Sequence, residues 1–155
     1  MNQRFFSTLV VAALAVGCSN APTPGTDAAA DAPAADAAAP SGEALVAMFG
    51  CRNCHQSMNA ADGVLSGQST PRPGTMAHGS NLTPDMATGL GAWTEEQVVR
   101  AIREGTDESG RSLCSTMPRY GAAPINMTTE TARVIAQYLR ALPAVNRMIP
   151  ASSCP

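Results

Sequence analysis

The sequence has no lysine: its ten basic residues are all arginine, set against twelve Asp and Glu, for a net charge of −2. From Glu43 onward nine arginines meet nine acidic residues, so that part of the chain is formally neutral. A nucleic-acid footprint needs a basic patch, and this balance argues against one. The same absence leaves no ring of lysines for docking an acidic partner. Aromatic residues are scarce as well, six in 155, which makes for a thin side-chain core. No segment alternates polar and apolar residues as a half-buried strand does, and no internal repeat is present. No apolar run reaches the roughly 20 residues that a bilayer span takes.

What stands at the N-terminus is shorter. Arg4 precedes an uncharged run from Phe5 to Val16 that closes on small residues before Cys18, the pattern of a secretory signal peptide. Ala15-Val16-Gly17-Cys18 resembles a bacterial lipobox, although Leu14 lies one place earlier than that pattern favours. The expectation is a lipoprotein-type signal peptide over residues 1–17, with Cys18 becoming the lipidated first residue. Ser19, in place of Asp, resembles the sorting pattern of outer-membrane lipoproteins. An exported protein on the periplasmic side of a bacterial membrane follows, with the outer membrane favoured. From Asn20 to Gly42 only Ala, Pro, Asp and other small residues appear, too little apolar surface to offset chain entropy. Residues 18–42 therefore read as a lipidated terminus and disordered tether, and residues 43–155 as the folded domain.

Three segments in that domain have helical pattern. SGEALVAMFGCRNCH opens on Ser41 as N-cap, with Leu45, Val46, Met48 and Phe49 supplying apolar surface. WTEEQVVRAIREG has Thr94 and Gln97 at capping-box spacing, a stripe of Val98, Ala101 and Ile102, and Gly105 as its stop. MTTETARVIAQYLRALP is capped by Thr128 or Thr129, lined by Val134, Ile135, Tyr138, Leu139 and Leu142, and ended by Pro143. Long loops lie between them, and loops of this length in a small domain are usually functional or organised around something.

Five cysteines are an odd number for an exported chain. Cys18 is assigned to the lipid, while Cys51 and Cys54 belong to the motif discussed next. Cys114 and Cys154 remain, and an oxidising compartment favours joining them, the alternative being two buried thiols. A loop of this size would contribute roughly 4 kcal/mol in the chain-entropy description, less any strain.

Cys51, Cys54 and His55 stand at i, i+3 and i+4, so one helical turn points all three to the same side. C-x-x-C-H is the attachment signature of haem c: two thiols add to the porphyrin vinyl groups and the histidine reaches the iron. Structural zinc usually needs a second ligand pair, and Cys114 and Cys154 are isolated in sequence. A thioredoxin-like dithiol needs a βαβ context, which is absent. One covalent haem c is the expected cofactor, filling the middle of a domain short of large side chains.

GEALVAMFGCRNCH, SNLTPDMATGLGAWTEEQVVRAIREG, MPRY and ARVIAQYLRALPAV together resemble the class I mono-haem cytochrome c domain over Gly42 to about Val145. The likeness is to the type found in bacterial exported cytochromes and cytochrome subunits of periplasmic dehydrogenases. It implies an all-α fold with three main helices and long loops wrapped around one haem. It also implies that the first and last helices cross near Gly42 and Leu45 on one side and Tyr138 and Leu139 on the other. Ala44 stands where this branch often has an aromatic residue.

The second axial ligand decides the function. Met48, Met58, Met76, Met86, Met117, Met127, Met148 and His78 are the candidates. Met48 lies in the attachment helix, and Met58 is only three residues past His55. Met117, followed by Pro118, matches the methionine–proline element of the resembled family and is the expected ligand; Met127, Met76 and His78 stay open as alternatives. Trp93 and Asn81 carry N–H donors that the resemblance directs toward haem propionates, with core anchoring the other role for Trp93. Arg72, Arg111 and Arg119 are further charge partners to consider. His55 is expected to donate its second ring N–H to a loop carbonyl. With His55 and Met117 both bound, the iron has no position for substrate. The expectation is therefore a single-electron carrier and not an enzyme. Its partners would be redox proteins, a donor dehydrogenase or respiratory complex and an acceptor oxidase or reductase, with the membrane reached through the lipid anchor. The rival reading is a haem-based sensor or small-ligand binder with a weak or different sixth ligand.

Overall fold

The computed structural model describes residues 38–154. The expected signal peptide, Cys18 and most of the tether lie outside the described residues. Four helices follow in order: α1 (Gly42–Met48), α2 (Arg52–His55), α3 (Glu95–Glu104) and α4 (Thr129–Ala141), with a short 3-10 turn at Ala60–Asp62. Among the described residues there is no strand, only isolated bridges such as Gln68 with Gly79 and Met76 with Ser153. The domain is all-α in its secondary structure.

Local chemistry sets the helix ends. Ser41 accepts from the Ala44 N–H at 3.2 Å. Thr94 and Gln97 form both halves of a capping box, at 3.2 and 2.7 Å. Gly105 ends α3 in the left-handed region, with φ 70°. Thr128, rather than Thr129, caps α4 by accepting from Thr131 N–H at 3.1 Å. The first helical segment does not run through to His55 as its pattern suggested. It stops after Met48, and Gly50 at φ 67° turns the chain before α2 begins. A residue with a Cβ rarely takes that conformation.

The core gathers Leu45 and Val46 from α1, Val98, Val99 and Ile102 from α3, and Ala132, Ile135, Ala136 and Leu139 from α4, joined by Leu65, Leu90, Tyr120 and Met127. Helix α4 packs on both α1 and α3. The α1–α4 contact is close because Gly42 has no side chain: a Cβ there would overlap Tyr138 Cβ and lie 2.8 Å from the Val134 carbonyl oxygen. That places Gly42 against Tyr138, as the resemblance implied. Arg133 of α4 joins Glu95 of α3 at 3.2 Å, and Arg140 donates to the Trp93 carbonyl at 2.7 Å.

The long loop after α2 is tied to the rest by backbone and by the C-terminal segment. Gly67 N–H donates to the His55 carbonyl at 2.9 Å, and Gln68 N–H to the Gly79 carbonyl at 2.8 Å. Gly79 is pressed on α2 so closely that a Cβ would overlap the Cys54 carbonyl. Past Pro143 the chain has no regular secondary structure and is bonded to this loop. Val145 N–H donates to Thr83 Oγ1 at 3.1 Å, Arg147 N–H to Thr88 Oγ1 at 3.0 Å, and Arg147 pairs with Asp62 at 3.2 Å. Cys154 then bonds Cys114, with the Cα atoms 5.5 Å apart, the pairing expected from the cysteine count.

Gly79→Ala should destabilise the domain by about 1–3 kcal/mol, because both sides of that contact are backbone and neither can rotate away. Thermal unfolding against the wild type checks this, and an unchanged midpoint would show that the close contact is not made.

Candidate functional site

A cavity of about 860 Å³ occupies the centre of the domain, within the roughly 300–1,000 Å³ usual for cofactor sites. Its apolar wall comes from Val98, Ala101 and Ile102 of α3, Ile135 and Leu139 of α4, and Leu82 and Leu90 of the loop. Ala101, expected in the α3 stripe, thus faces the cavity. Cys51, Cys54 and His55 line it together. Helical geometry brings them to one side: Cys51 has φ −55° and ψ −36°, and the His55 N–H donates to the Cys51 carbonyl at 3.0 Å.

His55 Nδ1 lies 2.8 Å from the Ser80 carbonyl oxygen. A carbonyl only accepts, so Nδ1 carries the proton and Nε2 keeps its lone pair. Burial holds the His55 pKa below its ordinary value, with the Ser80 bond opposing that effect in part. The ring is neutral and held in one tautomer, with the Nε2 lone pair left to accept. Ser80 supplies the carbonyl that the sequence left unspecified, and it arrives there because Gly79 lets the loop rest on Cys54.

Cys51 and Cys54 are both free thiols. Burial pushes the Cys51 thiol up, and the neighbouring Cys54 adds to the shift. Arg72 Nη1 approaches Cys54 Sγ at 3.6 Å and also lines the cavity. The second pair that a four-ligand zinc site would need is spent, since Cys114 and Cys154 are bonded to each other.

Met117 lines the same cavity, half-buried against the core. Its N–H donates to the Cys114 carbonyl at 2.9 Å, and the following loop is pinned where Tyr120 donates its hydroxyl to the Phe49 carbonyl at 2.9 Å. The two rings also meet edge to face, with centroids 5.6 Å apart. Burial, with smaller contributions from Cys51 and Cys54, pushes the Tyr120 phenol up to about 12, so it stays a donor. The role of Tyr120 was not read from the sequence, although it ends the MPRY segment.

The other candidates divide. Met127 lines the cavity from a buried position, and Met58 touches its rim while 86% exposed. Met48, Met76, Met86 and Met148 are exposed and do not line it. His78 and Trp93 line it; Asn81 does not. The Asn81 side chain is turned into the protein, 2% exposed, where its amide donates to the Val145 carbonyl at 2.8 Å and to Thr88 Oγ1 at 3.1 Å. Its oxygen accepts from Thr83 N–H at 3.0 Å. Asn81 therefore staples the C-terminal segment to the loop, and its amide donors are engaged there. Of the three arginines only Arg72 reaches the cavity. Arg111 pairs with Asp107 at 2.9 Å, and Arg119 donates to the Glu104 carbonyl at 3.0 Å.

No family model matches the chain. Over 85 residues, 55% of the chain, it is 31% identical to a nicotinate dehydrogenase subunit of Pseudomonas putida, covering 7% of that protein. Over 89 residues, 57% of the chain, it is 32% identical to the gluconate 2-dehydrogenase cytochrome c subunit of Pantoea cypripedii, covering 20% of that protein. The chain thus spans a fifth or less of the curated relatives it matches. The similarity is partial, to subunits of dehydrogenases, one of them a cytochrome c subunit by name.

Proposed function

We propose that the protein is a single-electron carrier built as a class I cytochrome c domain, with one haem c attached through Cys51 and Cys54 and ligated by His55 and Met117. The observation that carries this reading is one cavity lined at once by two free thiols, a neutral imidazole and a thioether. The donor set fits the group: thiols for the covalent links, a nitrogen lone pair and a sulfur for the axial positions. Haem c supplies the one-electron couple when bound.

The chain's own residues do the rest. Ser80 fixes the His55 tautomer and ring orientation through the 2.8 Å bond, and such outer partners raise the basicity of a ligating histidine. The apolar faces of α3 and α4 exclude water, which limits solvent rearrangement when charge changes. Arg72 is a cationic side chain on the cavity wall and Trp93 brings an indole N–H to it; in this reading both would meet the acidic edge of a haem. The partial likeness to dehydrogenase subunits supports a dehydrogenase as electron donor. With residues 1–17 as a lipoprotein signal and Cys18 lipidated, the 18–42 segment would tether the domain to the periplasmic side of a membrane, the outer membrane favoured, and let it move between partners.

Absorption spectra of the purified protein beside Met117→Ala test the ligand assignment. The wild type should show a weak far-red sulfur-to-iron band that Met117→Ala loses and Met127→Leu keeps. Loss on Met127→Leu instead would make Met127 the ligand, and absence of the band together with rapid carbon monoxide binding would favour a sensor. Cys18→Ser should move the protein from the membrane to the soluble fraction of cells; retention at the membrane would rule out the lipid anchor.

A further inference from the structure

The end of the chain makes three different attachments with three consecutive residues. Ser152 Oγ accepts from the His78 N–H at 2.8 Å and donates to the His78 carbonyl at 3.3 Å. Ser153 N–H donates to the Met76 carbonyl at 3.1 Å. Cys154 is bonded to Cys114. The Cys114 carbonyl in turn closes the turn that carries Met117, accepting from its N–H at 2.9 Å. His78, Ser152, Cys114 and Met117 all line the cavity. One short segment therefore joins the loop resting on the Cys54–His55 turn to the loop bearing the candidate sixth ligand. Among the described residues no helix makes that connection.

We propose that Ser152 and the Cys114–Cys154 bridge are positioning residues for Met117: they hold its loop to the loop around His78 and so decide whether the thioether stays on the iron against a competing small ligand. The inference rests on the reading of Met117 as axial ligand. A tethered sulfur competes with a diffusing ligand through its effective concentration, which falls as the tether is loosened. The other bonds on the Met117 loop, from Leu113 N–H to the Gly105 carbonyl, from Arg119 to the Glu104 carbonyl and from the Tyr120 N–H and hydroxyl to the Ile102 and Phe49 carbonyls, hold its two ends but not its link to the His78 side.

The test uses the full-length, haem-loaded protein and compares Cys114→Ala/Cys154→Ala, Ser152→Ala and Ser152→Thr with the wild type. Three quantities are read: carbon monoxide binding to the reduced protein, the far-red band, and amide hydrogen exchange over residues 114–119. The double cysteine variant should bind carbon monoxide at least about tenfold faster, with a weakened band and faster exchange in the loop. Ser152→Ala should move all three in the same direction by less, and Ser152→Thr, which keeps the hydroxyl, should restore them. The serine pair leaves the disulfide in place, so it decides the matter even if the double variant does not fold. Wild-type carbon monoxide exclusion in Ser152→Ala and the double variant, while Met117→Ala opens the iron, would overturn the clasp alone. If Met117→Ala itself changes nothing, the axial reading fails and the clasp falls with it.

Discussion

The approach of the chain at Gly79 to the Cys54 carbonyl is the contact on which the site depends. It admits no side chain, so the loop rests directly on the backbone of the Cys-x-x-Cys-His turn. That seat puts the Ser80 carbonyl against His55 Nδ1, which fixes the proton on Nδ1 and leaves Nε2 as a lone pair. It also sets the level of the whole 65–90 loop, whose Leu65, Leu82 and Leu90 then enter the core or its edge. A displacement of the loop by one side-chain thickness would undo the His55–Ser80 contact and the packing together.

Around that seat, a chain with few aromatic residues builds a wall instead of a solid centre. Helices α3 and α4 pack on each other, and Val98, Ile102, Ile135 and Leu139 belong to that core and also border the cavity, with Ala101 beside them. Much of what elsewhere would be side-chain packing is done here by hydrogen bonds from loops. Asn81, Thr83 and Thr88 are buried or half-buried polar residues whose partners are the backbone of the C-terminal segment. Buried polar groups of this kind hold a unique arrangement because leaving any of them unpaired is costly. The segment they hold ends at the disulfide, so the tail belongs to the architecture of the site.

Features legible in the sequence were those set by local chemistry. Ser41, Thr94 and Thr128 are caps because each oxygen meets an N–H three residues on; spacing revealed the first two and left Thr128 level with Thr129. Cys51, Cys54 and His55 share a side for the same reason, and Cys114 with Cys154 followed from counting. The crossing of α1 and α4 at Gly42 and Tyr138 came through the family likeness, and the proposal of Met117 as axial ligand rests on that same likeness. What stayed hidden depends on contacts between distant loops. The stop at Gly50 hinges on one positive φ inside a run with good helical pattern. The Ser80 carbonyl and the Asn81 staple are joined to their partners across 25 and 64 positions, and no periodicity marks them. An asparagine advertises donors, but only the fold says which acceptor lies beside them.

The central claim is that the cavity is built for a haem joined by two bonds to this chain. Intact-mass measurement of the exported protein under denaturing conditions tests it directly, beside Cys51→Ser, Cys54→Ser and the double variant. The account predicts a wild-type mass raised by one haem that persists through denaturation, and a double variant that carries none. A wild-type mass matching the polypeptide and its lipid alone, in cells able to attach haem c, would contradict it.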